Sequence, residues 1–387
     1  MTALRATCLG TALLLLSAAA LAEFGDPLAG LSADDAARFE AGKEEFSAPE
    51  EADEGLGPVF NEASCVACHR GPGDAIGGSN QRLETRFGRI RADGSFDPLT
   101  ELGGSLLQDH GIGSFNGVEF LPEVLPEGAI VARRRTTPLF GLGLVDATPT
   151  STFLSLALVQ AIFAPGIAGT PSVVTDPTTG RAALGKFGWK AQVPSLFVFS
   201  GDAYLNEMGI TNPIFPEENC PQGNCALLAA NPLPTLNDDG EGVERFNDFM
   251  TLLAPPPRGA RNFFTEYGNV VASSIGCLDC HTQTLRTGNN AVAALDQVEY
   301  HPFSDFLLHD MGGLGDGITQ NRATGRLMRT QPLWGLRTQT RLLHDGRAET
   351  IEEAILGHRG QGRAARLQFQ DLSGFDRFAL LTFLKSL

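Results

Sequence analysis

Apolar residues recur with helical period in four stretches of the chain, and three of these open on a capping signal. In "LSADDAARFEAGKEEF", Ser32 precedes a segment whose Ala36, Phe39 and Phe46 fall near one face, which predicts a helix. "NFFTEYGNVVASS" sets Phe263, Tyr267, Val270 and Ser274 at helical spacing. "LSGFDRFALLTFLKSL" places Ser373 and Asp376 as a cap before a helix rich in Leu and Phe. Thr350 and Glu353 form a T-x-x-E capping box that starts a further helix at Ile351. Ile351, Ala354, Ile355 and His358 then share one apolar face. A histidine on such a stripe requires a partner, either a backbone group or a metal.

Between these stretches the pattern breaks. Met1 to Ala22 carries one basic residue, Arg5, and an apolar run ending in Ala20-Leu21-Ala22 before Glu23, which predicts an export signal. That run is too short for a membrane span, Cys8 lies too early in it for a lipid anchor, and no later segment reaches the ~20 apolar residues a spanning helix needs. A soluble periplasmic protein without stable membrane insertion is expected. With 45 glycines and 23 prolines the chain is rich in loops. Long insertions with a few short strands are expected around residues 70–130 and 165–240, and "LLAPPPRG" reads as a stiff linker.

Two strings change this picture. "SCVACH" and "GCLDCH" each contain Cys-x-x-Cys-His, the attachment signature of c-type haem. Two thiols form thioethers to the porphyrin, and the adjacent imidazole becomes an axial iron ligand. On a helical turn Cys65 and His69 share a face, as do Cys277 and His281. A tetrahedral zinc site would not need the histidine after the second cysteine, and a redox dithiol would sit in a βαβ unit that neither copy shows. Cys65, Cys68, His69, Cys277, Cys280 and His281 are therefore the expected cofactor-binding residues, for two covalently attached haem c groups. A helix leading into the string is also how small cytochrome c domains begin.

Of the 7 cysteines, Cys8 leaves with the signal and four serve the haems, leaving Cys220 and Cys225 to pair as a disulfide in an oxidising compartment. The net charge of −16 argues against nucleic acid and anionic membranes as partners. It suits a basic electron-donor protein, and it suits solubility equally.

The chain also repeats itself. Arg135 begins "RTTPLFGL" and Arg329 begins "RTQPLWGL", each after a haem string, so a duplicated domain is expected. The second copy continues into "LLHDGRAETIEEAILGH" and supplies His358; the first offers Thr, Ser and Leu in the comparable stretch. With a haem at hand, His358 becomes the expected sixth ligand of haem 2, and haem 1 lacks its counterpart.

Taken together, "GPVFNEASCVACH", "RRTTPLFGLGLVDA", "KFGWKAQVPSL", "MGITNPIFP", "FSDFLLHDMG", "ATGRLMRTQPLWGL" and "LLHDGRAETIEEAILGH" give a chain that resembles the dihaem oxidoreductases of peroxidase type. These are related to bacterial dihaem cytochrome c peroxidases and to the methylamine-utilisation dihaem enzyme. The resemblance runs from about Pro58 to Leu387. It implies a mainly α fold of two cytochrome c-like haem domains, with long loop insertions and a few short strands. The expected division is a signal peptide over 1–22, an N-terminal haem domain over 23–251, a proline-rich linker over 252–261 and a C-terminal haem domain over 262–387. In the peroxidases a Met after an H-D-G-like string binds the electron-transfer haem, and the same distance here reaches His358. His in place of Met lowers the expected potential of haem 2. Calcium between the haems is a further implication, with no ligands assignable.

The expected function is a periplasmic dihaem oxidoreductase in which haem 2 relays electrons to an open haem 1 that meets peroxide or oxygen. "SLLQDHGIGSF" supplies Gln108, Asp109 and His110 as the polar cluster for proton transfer, with Gln108 and His110 as catalytic candidates. His110 could equally be a solvated loop residue, or the sixth ligand of haem 1 in a non-catalytic electron-transfer cytochrome. Trp189 could bridge the haems or simply pack a core. His301 and His309 are expected in structural roles or near a haem propionate. Electrons would come from a periplasmic electron-transfer protein.

Overall fold

The computed structural model describes residues 22–233 and 236–387, so the leader expected over residues 1–22 lies, but for its last residue, outside the described residues. No described helix is long and apolar enough to cross a membrane. Nine α-helices occur among the described residues: α1 (Ala33–Ser47), α2 (Leu142–Asp146), α3 (Thr150–Phe163), α4 (Leu196–Met208), α5 (Glu241–Leu252), α6 (Phe263–Ser274), α7 (Ile351–Gly357), α8 (Arg363–Gln370) and α9 (Gly374–Leu384). The strands are short and pair antiparallel in small sheets. In the largest, strand Leu83–Ile90 lies between Phe96–Asp97 and Ile130–Arg135, with Leu83 opposite Arg135 and Gly88 opposite Ile130. Helices and loop insertions agree with the sequence, while the short strands, thirteen among the described residues, are more numerous than the few expected.

The caps explain the helix starts. Ser32 accepts the Asp35 N–H, Ser373 accepts the Asp376 N–H, and Thr350 and Glu353 close a reciprocal capping box. Asn262 opens α6 with a second box, shared with Thr265.

Each haem string follows a helix that crosses a partner at a glycine. On α1, a Cβ at Gly42 would lie 2.3 Å from the Arg245 carbonyl of α5. On α6, a Cβ at Gly268 would lie 2.1 Å from the Ala379 carbonyl of α9. Only glycine allows either approach. Around the first crossing Phe39, Phe46 and Phe249 are buried, with Phe249 ring centroids 5.3 Å from Phe39 and 4.8 Å from Phe46. Each such side chain contributes about 1.5–3 kcal/mol by leaving water.

The repeated R-T-x-P-L-aromatic-G-L strings flank the proline-rich stretch. Gly141 and Gly335 take φ of +71° and +74°, and Cβ atoms there would meet Pro255 at 2.9 Å and Pro256 at 3.1 Å. The stretch is seated in the fold: Leu252 and Leu253 are fully buried, the Leu28 N–H donates to the Leu252 carbonyl, and the Ala254 N–H donates to the Asp26 carbonyl. The first apolar core also takes in Leu285, Leu295, Tyr300, Phe306 and Leu307 from beyond it. The second gathers Val271, Ile275, Phe303, Phe369, Leu380 and Phe383. Thr170 and Leu308 bridge the two parts by paired backbone hydrogen bonds of 2.8 and 3.0 Å.

Candidate functional site

Both Cys-x-x-Cys-His strings form one tight turn. Cys65–Ala67 and Cys277–Asp279 are 3₁₀ turns, and the His69 and His281 N–H groups donate to the carbonyls of Cys65 (2.9 Å) and Cys277 (3.0 Å). This i to i+4 bond brings each histidine beneath the first cysteine of its string. Each string lines its own chamber.

The C-terminal chamber brings Cys277, Cys280, His281 and His358 together among Met311, Leu314, Trp334, Ile351, Ala354 and Ile355. His281 Nδ1 lies 2.9 Å from the Phe303 carbonyl, and His358 Nδ1 lies 2.8 Å from the Ala354 carbonyl. A carbonyl accepts only, so both imidazoles carry their proton on Nδ1 and keep Nε2 free as a ligand atom. Burial lowers the pKa of both, that of His281 to about 4, and so keeps them in the neutral form a metal needs. Helix α7 starts at the capping box, as its sequence predicts, but ends at Gly357. His358 is the first residue beyond it, at φ −60° and ψ 135°. The stripe through Ile351 and Ile355 continues to the imidazole because its Nδ1 reaches back one turn.

Arg135 and Arg329, the first residues of the two repeated strings, both line this chamber. Both are buried and depressed by burial, to about 10 and about 9. Each is held by neutral acceptors. Arg135 donates to the Leu343 carbonyl (2.8 Å) and Gln339 Oε1 (2.9 Å), and Arg329 to the Gly188 carbonyl (2.7 Å) and Gln331 Oε1 (3.0 Å). Buried guanidinium groups without a carboxylate are costly, and they fit a cofactor that brings its own carboxylates. Two thiols, the carbonyl-anchored imidazoles of His281 and His358 and buried cations in one apolar chamber fit a haem, with His309 and His344 also in its wall.

The N-terminal chamber is of another kind. Cys65, Cys68 and His69 face Glu84, Arg86, Arg134, Asp202 and Glu207, with Phe46, Phe199, Phe246, Met208 and Met250 completing the wall. Apart from His69 no imidazole among the described residues lines it. Burial lowers His69 to about 4, and its Nδ1 is buried without a partner. Arg86 grips Glu84 through Nε and Nη2, both at 3.1 Å. Asn61 Nδ2 donates to Glu207 at 2.8 Å, and Asn206 to Asp202 at 3.1 Å. Burial pushes Glu207 up to about 7, with repulsion from Glu84 adding to it, and burial pushes Asp202 up to about 6. Both carboxyls project from α4, whose apolar composition hides them in the sequence. The signal is their presence in the otherwise greasy run "LFVFSGDAYLNEM".

His110 and Gln108 are not among the chamber-lining residues. His110 pairs across a short strand with Phe60 and stacks on that ring at 5.4 Å, half-exposed. Gln108 is buried, and its side chain donates to the Asn206 carbonyl at 3.2 Å. Strand pairing with Val59–Phe60 leaves His110 half-exposed against the Phe60 ring, away from the chamber wall where the catalytic and sixth-ligand readings would place it. Asp109 alone of that trio lines the chamber. His301 meets Thr284 at 3.0 Å at the surface, whereas buried His309 lies 2.9 Å from Asp305 and 3.6 Å from Cys280 Sγ. Cys280, Asp305 and His309 are the one metal-capable trio among the described residues. Its sulfur and nitrogen donors are unlike the all-oxygen shell of calcium, and calcium gains no support. Cys220 and Cys225 form the expected disulfide.

Among the described residues only Arg135 and Trp189 line both chambers. Trp189 is buried, donates Nε1–H to the Arg135 carbonyl at 3.0 Å, and lies with its ring 5.6 Å from the Arg135 guanidinium. It both packs and partitions.

A family model described as "Di-haem oxidoreductase, putative peroxidase" matches residues 109–387. No curated protein matches the chain. Solved structures similar to it include hydrazine synthase of Kuenenia stuttgartiensis, at 13% identity and a TM-score of 0.37, over 99% of this chain and 100% of that one. A MauG-like protein associated with microbial copper homeostasis matches at 15% identity and a TM-score of 0.38, over 94% of this chain and 93% of that one.

Proposed function

The chain belongs to the di-haem oxidoreductase family, and from that premise we propose that it is a periplasmic dihaem c-type cytochrome that reduces hydrogen peroxide or oxygen. Cys65, Cys68 and His69 hold haem 1, and Cys277, Cys280, His281 and His358 hold haem 2. When bound, the two haems would supply the redox chemistry that reduces the oxidant.

The chain's own residues do the rest. Glu207, with a carboxyl that titrates near neutrality, takes a proton from hydrogen peroxide and returns it to the oxygen that departs as water; with dioxygen it would instead relay protons inward from solvent. Arg86, fixed by Glu84, faces the charge that develops as the bond breaks. Trp189 fills the wall the chambers share and carries electrons across it. His358 closes the second chamber to exogenous ligands and confines that haem to relay. A periplasmic electron-transfer protein supplies the electrons.

The observation that supports this reading is the asymmetry of the chambers: one is lined by four histidines, His281, His309, His344 and His358, and the other by His69 alone with buried carboxyls. A spectroscopic titration of the oxidised and half-reduced two-haem protein with cyanide, then hydrogen peroxide, tests it. Cyanide should bind one haem of the two, and peroxide should react at that same haem. If both irons stay six-coordinate and inert in every state, the protein is an electron carrier and the enzymatic reading fails.

A further inference from the structure

From His358 to Gln370 the chain carries Arg359, Arg363 and Arg366 and no acidic residue, in a protein of net charge −16. Arg359 and Arg363 are exposed, while Arg366 is part-buried in the wall of the second chamber with its Nε unpartnered. Arg359 donates to the carbonyls of Leu356 (2.7 Å) and His358 (3.2 Å), which places its charge beside the outer ligand of that chamber.

The carboxylates on the neighbouring elements are engaged elsewhere. Asp310 holds Arg326 at 3.1 Å, Glu352 holds Arg377 at 3.3 Å, and Glu353 is committed to its capping box. Arg363 and Arg366 also occupy the first turn of α8, where the helix dipole disfavours cations. Burial and then repulsion from Arg359 and Arg363 lower the pKa of Arg366. Arg359 caps the end of α7, but Arg363 and Arg366, set against the dipole of α8 and in no ion pair among the described residues, gain nothing from their own helix.

We propose that Arg359, Arg363 and Arg366 form the docking surface at which an acidic electron-transfer protein meets the second chamber. The proposal rests on reading that chamber as the site of haem 2. It reverses the expectation of a basic donor that the overall charge suggests: the global charge repels an acidic partner, and a local cationic apron orients it at one face. Exposed rim charges of this kind govern the association rate and its salt dependence more than the affinity.

The test is stopped-flow reduction of the two-haem protein by a plant-type [2Fe–2S] ferredoxin, an acidic low-potential donor, over a range of ionic strength. The bimolecular rate should fall as salt rises, although both proteins are acidic. In R359E/R363E the slope should reverse, and the low-salt rate should drop at least roughly tenfold. A wild-type rate that rises with salt, or a double variant with the wild-type slope, overturns the proposal. Methyl viologen radical cation serves as a small donor that needs no docking. If the double variant slows the ferredoxin and also slows methyl viologen equally, the arginines act on the haem site itself and the docking surface is refuted. The low-spin spectrum of the second haem, recorded before mixing and retained in the variant, establishes the haem reading separately.

Discussion

In the proposed reaction Glu207 is the carboxyl that moves the proton. Burial and Glu84 raise it to about 7, so the folded chain holds a proton there that the unfolded chain releases at lower pH. Between the unfolded carboxylate range and about 7 the native state therefore binds more protons, and stability falls as pH rises through that window. Glu207→Gln should remove this penalty, making the variant relatively more stable than wild type above pH 7 and little different at pH 4. It should also slow the reaction with peroxide by roughly 10²–10⁴-fold and flatten the inflection near neutral pH, as read by stopped-flow. A wild-type profile with no inflection there assigns the proton transfer to another group. None of this was legible in sequence. The anchoring residues were, because Cys65, Cys68 and His69 act through local spacing. Glu207 and Asp202 reach the chamber only because α4 packs across it. His110, a catalytic candidate or a solvated loop residue by its sequence, lies half-exposed because a two-residue strand pairs it with Val59–Phe60, which has no strong pattern of its own.

At the scale of elements, α7 decides where His358 sits. Seven residues are too few for a helix to hold alone, so the Thr350–Glu353 box carries a large share of its stability. The box is reciprocal: the Glu353 N–H donates to Thr350 Oγ1 at 3.1 Å, and the Thr350 N–H donates to Glu353 Oε2 at 3.2 Å. Thr350→Ala should cost α7 about 0.5–2 kcal/mol and lower the temperature at which the low-spin signal of haem 2 converts to high spin, while the other haem is unaffected. Thr350→Ser should restore it. Loss of global melting temperature with an unchanged conversion would show that the cap supports the core and not the ligand. Elements with a cap and a periodic face, such as α1, α7 and α9, could be read directly from the chain. The helix end could not: the apolar stripe runs on to His358, but the backbone turns out at Gly357 and only the Nδ1 bond to Ala354 keeps the imidazole in line. The proline-rich stretch was similarly ambiguous, since three successive prolines stiffen a linker and also pack well, and here Gly141 and Gly335 seat them.

For the whole molecule, two chambers meet at one partition. Trp189 comes from neither repeated string, yet it lies between them, anchored to the Arg135 carbonyl and 6.1 Å from the His344 ring. In sequence a tryptophan in "KFGWKA" reads equally as core filler, because its position depends on segment 165–190 crossing onto the C-terminal part through Thr170 and Leu308. Trp189 is a buried aromatic that touches both chambers, whereas Arg135, the other shared residue, is a saturated chain ending in a fixed cation. Trp189→Phe keeps a ring in the wall and gives up the Nε1 bond. It should slow electron exchange between the two haems roughly tenfold, equal to about 1.4 kcal/mol of barrier, and leave the ligation of both unchanged. Pulse reduction of the two-haem protein, with each haem followed at its own wavelength, measures that exchange. If the rate in Trp189→Phe matches wild type while Arg135→Lys slows it, electrons cross by way of the cation, and Trp189 serves only to pack the partition.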